Sequence, residues 1–143
     1  MKIIQVSVFL ENKKGRIHDA VHVLGAANVN IKALTIAENE EFGVLRMVLD
    51  NPKDGVAALK KAGFVASITD IVAVEVDDRP GGLAKVLKIL DENNINLEYM
   101  YAFVEKTASN AIVVFRFDDA DKAINVLTEN NIRILGKKDI QAF

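Results

Sequence analysis

The chain has 143 residues, of which half are hydrophobic and 27% are charged, and its formal net charge is −2. This composition excludes intrinsic disorder and the strongly basic surface of a typical nucleic-acid binder. The absence of cysteine excludes disulfides, thiolate metal sites and cysteine nucleophiles. No apolar run approaches the roughly 18 residues of a membrane-spanning helix, and Met1–Val6 alternate like a strand rather than a secretory signal. We therefore expect a cytoplasmic protein with no membrane partner.

The second half of the chain repeats the first half. A shift of 66 residues places Val6 on Val72, Gly15 on Gly81, Asn28 on Asn94 and Asn30 on Asn96. After a short insertion the shift becomes 68 residues, and Leu59 then falls on Leu127. These matches fall mostly at turns and helix ends. We therefore predict two tandem copies of one unit of about 70 residues, with domains at residues 1–69 and 70–143.

The first copy alternates between strand and helix patterns. Apolar residues recur with a period of two in Ile4–Leu10, which predicts a strand, and at helical spacing in Ile17–Leu24, which predicts a helix ending at Asn28. The segment Glu11–Gly15 between them is a predicted turn. The remaining predicted elements are strands at Asn30–Ala37 and Val44–Leu49, a helix from Pro52 to Ala62 and a strand at Phe64–Ile68.

The second copy has the same order of elements. It consists of a strand at Val72–Val76, a turn at Asp77–Gly81, a helix at Leu83–Leu90, strands at Asn96–Val104 and Ala111–Phe117, a helix at Asp119–Asn130 and a strand at Ile132–Leu135. The order βαββαβ predicts an α+β fold of two tandem ferredoxin-like units, each an antiparallel sheet with both helices on one face. The tail Lys138–Phe143 resembles Thr69–Val74, which predicts one more strand.

Two segments of the second copy carry a family resemblance. Asp77-Asp78-Arg79-Pro80-Gly81-Gly82-Leu83, followed by a helix and Asn94-Ile95-Asn96-Leu97, resembles the signature of the ACT domain. The first copy departs from it, because Lys14 replaces the proline and Arg16 replaces the second glycine. The resemblance covers the whole chain as two ACT units. It implies a non-enzymatic regulatory protein with a free amino acid as effector and no cofactor, and it allows an enzyme of amino-acid metabolism as the regulated partner.

Both glycine turns are candidate ligand sites. Gly15 and Gly81 lie where a strand leads into a helix, whose first backbone N–H groups and positive dipole end suit a carboxylate. A tight turn that merely requires glycine is the alternative interpretation. The candidate ligand-binding residues around the two turns are Leu10, Asn12, Lys14, Gly15, Arg16 and Ile17 in the first copy, and Asp78, Gly81, Gly82 and Leu83 in the second.

Further candidates lie in the second strands. Asn30 and Asn96 can donate to a carboxylate or accept from an ammonium, although turn formation explains them equally well. On the strand face shared with Ile31 and Leu97, we expect Ala33 and Thr35 in the first copy and Tyr99 and Tyr101 in the second. Small residues matched with aromatic ones indicate an asymmetric pocket, or complementary core packing. We place the predicted site between the two units: if their second strands lie side by side in one continuous sheet, each glycine turn faces the second strand of the other unit.

Two rival classes share this fold. RNA-recognition modules stack bases on strand aromatics, and Phe115 and Phe117 alternate suitably, but the basic signature is missing. A phosphate-binding enzyme of this fold needs an arginine cradle, and Arg16 and Arg79 lie in the corresponding turns without the surrounding residues. An enzyme of the ferredoxin-like fold or an RNA-binding module therefore stays the alternative.

A metal site is the other chemistry considered. His18 and His22 are four residues apart on the first helix, a spacing that can hold a metal. The second copy has Ala84 and Lys88 at these positions, and a third ligand is not evident. An exposed helix face explains the two histidines better, so we expect no metal.

The strands are apolar on both faces, which bears on assembly. If Val6 and Val8 face the helices, then Ile3 and Phe9 point to the other side. The same reasoning places Leu34, Ile36, Met100 and Ala102 on the helix-free faces. Because a soluble monomer rarely exposes so large an apolar patch, we expect a homodimer that packs these faces together. Cover by loops or by the tail within one chain is the alternative.

Overall fold

The computed structural model describes residues 1–39, 41–105 and 109–142. The chain divides into two compact units: an N-terminal unit of Ile4–Thr69, and a C-terminal unit of Asp70–Phe143 that also includes Met1–Ile3. No helix in the described ranges is long and apolar enough to cross a membrane.

The N-terminal unit has the predicted order of elements. It consists of β1 (Ile3–Glu11), α1 (Arg16–Ala26), β2 (Ile31–Glu38), β3 (Phe42–Leu49), α2 (Pro52–Lys61) and the first part of β4 (Val65–Asp77). The sheet order is β2-β3-β1-β4, and the β1–β3 and β2–β3 pairs are antiparallel. Alternate residues of β1, Val6 and Val8, pack with Leu24 of α1 and Leu59 of α2 in one core, so both helices cover the same sheet face.

The C-terminal unit repeats this arrangement. The rest of β4 is followed by α3 (Gly82–Glu92), β5 (Leu97–Ala102), β6 (Asn110–Phe117), α4 (Ala120–Glu129), β7 (Ile134–Leu135) and α5 (Lys137–Gln141). Its sheet order is β7-β4-β6-β5. Val72, Phe115 and the helix residues Leu90 and Leu127 share its core. Two antiparallel βαββαβ units with helices on one face confirm the predicted ferredoxin-like fold class.

Asparagines end the first helix of each unit, as predicted. Asn28 has φ 58° and Asn94 has φ 55°, in the left-handed region that asparagine tolerates. After each asparagine the next backbone N–H returns to the helix, from Val29 to the carbonyl of Leu24 and from Ile95 to the carbonyl of Leu90, both at 3.0 Å. These bonds satisfy carbonyl groups that the helix end would leave open.

A register shift in each second strand overturns the predicted side-chain faces. The pairing shifts between Ile31 and Ala33 in β2, and between Leu97 and Tyr99 in β5. Because an extra residue in a strand reverses the faces of all residues beyond it, the prediction that Ala33 and Tyr99 share a face with Ile31 and Leu97 is wrong.

The paired residues show where these side chains lie instead. Leu34 and Ile36 lie opposite the core residues Met47 and Leu45, whereas Ala33 and Thr35 lie opposite Val48 and Arg46 on the helix-free face. In β5 the same exchange puts Met100 and Ala102 opposite the core residues Phe115 and Val113, and Tyr99 and Tyr101 opposite Arg116 and Val114. The prediction that Leu34, Ile36, Met100 and Ala102 lie on the helix-free faces is therefore wrong.

The helix-free faces are also less open than expected. Ala33 and Val48 in one unit and Ile112 and Val114 in the other are all buried within the single chain. The apolar area that these faces leave exposed to water is therefore smaller than the sequence predicts. The homodimer itself stays a prediction.

The tail forms a helix rather than the predicted strand. The carboxylate of Asp139 accepts from the backbone N–H of Gly136 at 2.8 Å, and the N–H of Ile140 donates to the Gly136 carbonyl at 3.2 Å. This local cap starts α5 and turns the chain out of the extended conformation. Ile140 is buried, and Phe143 lies outside the described residues.

Candidate functional site

The two glycine turns have nearly the same backbone geometry. Gly15 precedes α1 with φ 89° and Gly81 precedes α3 with φ 84°, both left-handed. In the first turn the N–H of Lys13 donates to the Glu11 carbonyl at 2.7 Å. In the second turn the N–H of Arg79 donates to the Asp77 carbonyl at 3.0 Å. The glycines are therefore required by the backbone itself, because other residues rarely adopt such φ values.

Equivalent hydrogen bonds attach each turn to the connection between the second and third strands. The N–H of Asn12 donates to the Glu41 carbonyl at 2.9 Å, and that of Asp78 donates to the Ser109 carbonyl at 3.3 Å. The side chain of Asn12 also donates to the carbonyl of Asn39 at 3.4 Å. Each glycine turn is therefore fixed by a hydrogen bond to the connection between the second and third strands of its unit.

The helices that follow these turns begin without a side-chain cap. Neither Gly15 nor Gly81 can supply one, and no side chain caps α1 or α3. The second helix of each unit differs, since Asn51 caps α2 and Asp119 caps α4 through bonds of 3.1 Å to backbone N–H groups. In each unit, therefore, one helix start is capped by a side chain and the other is not. The first N–H of each uncapped helix, from Arg16 or Gly82, donates to the carbonyl three residues earlier at 3.3 or 2.9 Å, which leaves the N–H groups of the residues that follow for an anion.

The two turns differ in charge. Glu11–Arg16 contain three basic residues and one acidic residue, whereas Asp77–Gly82 contain one basic and two acidic residues. Both have an acid–base pair two residues apart: Lys13 Nζ lies 2.8 Å from a carboxylate oxygen of Glu11, and Arg79 Nη2 lies 3.1 Å from one of Asp77. The hydrogen bond from Lys13 and its positive charge lower the pKa of Glu11. The first turn is the more favourable of the two for an anion.

The first helical residue also differs between the units. Gly82 is buried, and a Cβ there would overlap the carbonyl oxygen of Asp77. The equivalent residue Arg16 extends its guanidinium over the ring of Phe64, with 4.5 Å between Cζ and the ring centroid. The predicted departure from the family pattern at residue 16 therefore changes the side chain without changing the turn.

The structure brings together only part of the predicted site. Leu10, Asn12 and the residues from Lys14 to Ile17 are contiguous around the first turn, as Asp78 and Gly81–Leu83 are around the second. Asn30 lies beyond the far end of α1, and 11 helical residues span about 16 Å. Asn96 is displaced from Gly81 by α3 in the same way.

The second-strand candidates lie on the helix-free sheet face. Ala33 is fully buried, and the rings of Tyr99 and Tyr101 stack with 6.5 Å between centroids. The predicted position of the site between the two units stays a prediction.

The rival chemistries lose their candidate residues. Phe115 and Phe117 are fully buried in the core, so they cannot stack on the bases of an RNA. For the phosphate-binding enzyme, Arg79 is already paired with Asp77, whereas Arg16 lies over the ring of Phe64.

The two histidines stand on an exposed helix surface. His18 and His22 stack with 5.8 Å between ring centroids. Within residues 1–39, 41–105 and 109–142, no three His, Cys, Asp or Glu side chains are grouped so that they could hold a metal ion.

Sequence reasoning missed two features of the turns. The pairs Glu11–Lys13 and Asp77–Arg79 are related by the 66-residue shift, so the repeat itself contained that signal. The contact of Arg16 with Phe64 joins residues that are far apart in the chain, so no local sequence pattern predicts it.

Comparisons with known proteins agree with this architecture. A family model described as an ACT domain pair matches residues 1–143. Among solved structures, protein BT0572 from Bacteroides thetaiotaomicron is 40% identical, with a TM-score of 0.93 over 100% of this chain and 98% of that one.

More distant structures share the fold. The ligand-free regulatory subunit of aspartate kinase from Thermus thermophilus is 14% identical, with a TM-score of 0.62 over 88% of this chain and 90% of its own. The corresponding subunit from Thermus flavus is also 14% identical, with a TM-score of 0.61 and the same coverage. No curated protein matches the chain. The match of the family model over its whole length shows that the chain belongs to the ACT domain pair family.

Proposed function

We propose that this protein is a non-enzymatic regulator that binds a free amino acid at its glycine turns. The observation that carries the proposal is the contrast between the two helix starts in each unit. One is capped by a side chain, while the other, after Gly15 or Gly81, has no such cap. The carboxylate of an amino acid can accept from the N–H groups exposed there.

The surroundings of the glycines support the same role. Apart from the glycine and its two chain neighbours, no heavy atom of the described residues lies within 4 Å of the position that a Cβ would take on Gly15 or Gly81, so a ligand can approach the backbone at both positions. The excess of basic residues around Gly15 favours an anionic group there. The Thermus structures that share the fold are regulatory subunits of aspartate kinase, which supports regulation as the role. An enzyme of amino-acid metabolism is the partner we propose, and a cytoplasmic location is part of the proposal.

Regulation by such a ligand requires two states with different affinities for it. An effector shifts an equilibrium only by the difference in its binding free energy between the states. We place the binding site between the two units and propose that occupancy is transmitted through the turn to the connection that Asn12 contacts.

A thermal-shift screen of the twenty amino acids tests the proposal, and Gly15→Asn and Gly81→Asn locate the site. Asparagine tolerates the left-handed backbone, and its side-chain oxygen would occupy the N–H groups offered to the ligand. Gly63→Asn is the matched control, because Gly63 is left-handed too (φ 88°) and lies in a different turn.

We expect at least one amino acid to raise the melting temperature, and we expect a turn variant to abolish this shift while Gly63→Asn retains it. Stabilisation by RNA or a phosphate ester, with no response to any amino acid, would overturn the proposed function. A response that both turn variants retain would place the site elsewhere.

A further inference from the structure

Each unit has a cleft at the place where its first strand ends, and the two clefts are built from equivalent positions. The N-terminal cleft, of about 240 Å³, is lined by Phe9, Glu11, Arg16, Phe42, Phe64 and Val65. The C-terminal cleft, of about 170 Å³, is lined at the equivalent positions by Glu75, Asp77, Gly82, Asn110, Ile132 and Arg133. Both volumes lie below the roughly 300 to 1,000 Å³ of typical ligand pockets, so either cleft has room for only a small molecule or for part of one.

The C-terminal cleft satisfies its own polar groups. The Glu75 carboxylate accepts from the Asn110 side chain at 3.1 Å and from Arg133 at 3.2 Å. Arg133 also donates to Asp139 at 3.4 Å. A ligand entering here would have to break this network of internal bonds, so the cleft offers little to a carboxylate.

The same three positions are apolar and exposed in the N-terminal cleft. Phe9, Phe42 and Val65 replace Glu75, Asn110 and Arg133, and they are 49%, 52% and 65% exposed. Single exposed apolar residues are ordinary, but three around one cleft form a patch of the kind that binds apolar groups. A ligand that covers these three side chains removes their apolar surface from water, which favours binding.

Arg16 supplies a charge at the edge of this patch. Its Cζ lies 4.5 Å from the centroid of the Phe64 ring, and the side chain is 36% exposed, so the guanidinium can be reached from the cleft. Its ion pair with the carboxylate of Asp19 is a loose one, at the long distance of 3.9 Å. Glu11 lines the same cleft and its charge interacts with that of Arg16, but its carboxylate is paired with Lys13 at 2.8 Å. A planar guanidinium in this position suits a carboxylate that binds through two parallel hydrogen bonds.

We propose that the N-terminal cleft binds a small carboxylate with an apolar or aromatic body, and that the C-terminal cleft does not. The carboxylate pairs with Arg16, and the body lies against Phe9, Phe42 and Val65. This inference does not rest on the proposed function, because it requires no α-amino group on the ligand.

Titration of the ¹⁵N-labelled full chain with 3-phenylpropionate, followed by NMR, tests the inference. We expect amide shifts at Leu10, Phe42 and Gly63, with little change at their equivalents Val76, Asn110 and Asn131. The neutral 3-phenylpropan-1-ol has the same apolar body, and we expect it to bind about tenfold more weakly because it lacks the charge-assisted pair with Arg16.

Three variants sharpen the result. Arg16→Gln should raise the Kd for 3-phenylpropionate about tenfold, and Phe42→Asn, which introduces the residue of the C-terminal cleft, should raise it severalfold. Arg133→Gln is the matched control and should leave the Kd unchanged. The spectrum of each variant reports its folding, and Phe42→Asn changes an exposed side chain, so a folded variant is expected even if Arg16→Gln is unstable.

Several outcomes would overturn the inference. The inference is wrong if millimolar 3-phenylpropionate causes no amide shifts, or if the shifts are confined to the C-terminal unit. It is also wrong if a folded Arg16→Gln protein binds 3-phenylpropionate with an unchanged Kd. The amino-acid screen fails separately from this titration. If 3-phenylpropionate binds the cleft while no amino acid stabilises the protein, only the proposed function is lost. If an amino acid binds at the turns while 3-phenylpropionate does not bind, only the cleft is lost.

Discussion

The α-carbon of Gly82 lies against the carbonyl oxygen of Asp77 so closely that a Cβ on residue 82 would overlap this oxygen. Gly82→Ala should therefore lower the free energy of unfolding of the C-terminal unit by about 2 to 3 kcal/mol, the cost of forcing atoms into a packed site. Chemical denaturation followed by circular dichroism measures the change.

Gly25→Ala is the control for this substitution. Gly25 lies within α1, and apart from its chain neighbours and the backbone of its own helix, no heavy atom of the described residues lies within 4 Å of the position that a Cβ would take there. Because alanine favours a helix more than glycine does, we expect this variant to be more stable by up to about 1 kcal/mol. A Gly82→Ala protein as stable as the original would show that the turn moves freely.

The left-handed positions Gly63 and Asn131 predict an asymmetric response to substitution. They have φ 88° and 61° at equivalent points after the second helix of each unit. Gly63→Asn should change stability by less than about 0.5 kcal/mol, because the other unit already uses asparagine there, whereas Gly63→Ala should lose about 1 kcal/mol. Thermal unfolding distinguishes the two. Equal losses in both variants would mean that crowding, rather than φ, limits the position.

The pairing of Lys13 with Glu11 predicts a change in titration. Because Lys13 lowers the pKa of Glu11 in the folded state, the pair stabilises the fold above the ordinary pKa of 4.5 and this contribution is lost as the pH falls through the lowered value. Lys13→Gln should raise the pKa of Glu11 towards 4.5, measured by NMR of its side-chain carboxyl carbon. Lys14→Gln is the control and should leave that pKa in place. A Glu11 pKa that Lys13→Gln does not move would assign the lowering to another group.

The homodimer can be tested directly by light scattering at micromolar concentration. We expect a mass near twice the 15.7 kDa of one chain. Phe9→Glu should lower this mass, because Phe9 alternates with the core residues Val8 and Leu10 and therefore lies on the helix-free face of β1, where it is exposed. A mass near 15.7 kDa for the original protein would contradict the prediction.

The order of helices and strands could be predicted because it depends on local signals. The change from a period of two in Ile4–Leu10 to helical spacing in Ile17–Leu24 identifies β1 and α1, and Asn28 ends the helix in both prediction and structure. The glycine turns were predictable for the same reason, since a left-handed residue before a helix is a property of a few neighbouring residues.

Side-chain faces in the second strands were not predictable. Ile31, Ala33, Leu34 and Ile36 are all apolar, so the hydrophobic pattern is the same with or without the shift in pairing between Ile31 and Ala33. A bulge is set by the partner strand, and the sequence of β2 alone does not determine it. The contact of Arg16 with Phe64 was hidden for a similar reason.

The tail shows how a local cap overrides a resemblance. Lys138–Phe143 resemble Thr69–Val74 in residue type, but Asp139 lies three residues after Gly136 and caps a helix there. The spacing of Asp139 from Gly136 predicts the structure better than the resemblance does. Its carboxylate accepts a hydrogen bond from a residue three positions away, whereas a strand must pair with a distant part of the chain.

The left-handed residues in the described ranges form three equivalent pairs: Gly15 with Gly81, Asn28 with Asn94, and Gly63 with Asn131. They fix the backbone at equivalent turns of both units, so the backbone that surrounds the two clefts does not depend on the side chains that line them. The two clefts therefore occupy equivalent positions and still have opposite chemistry, since one is aromatic and open and the other is closed by its own ion pairs.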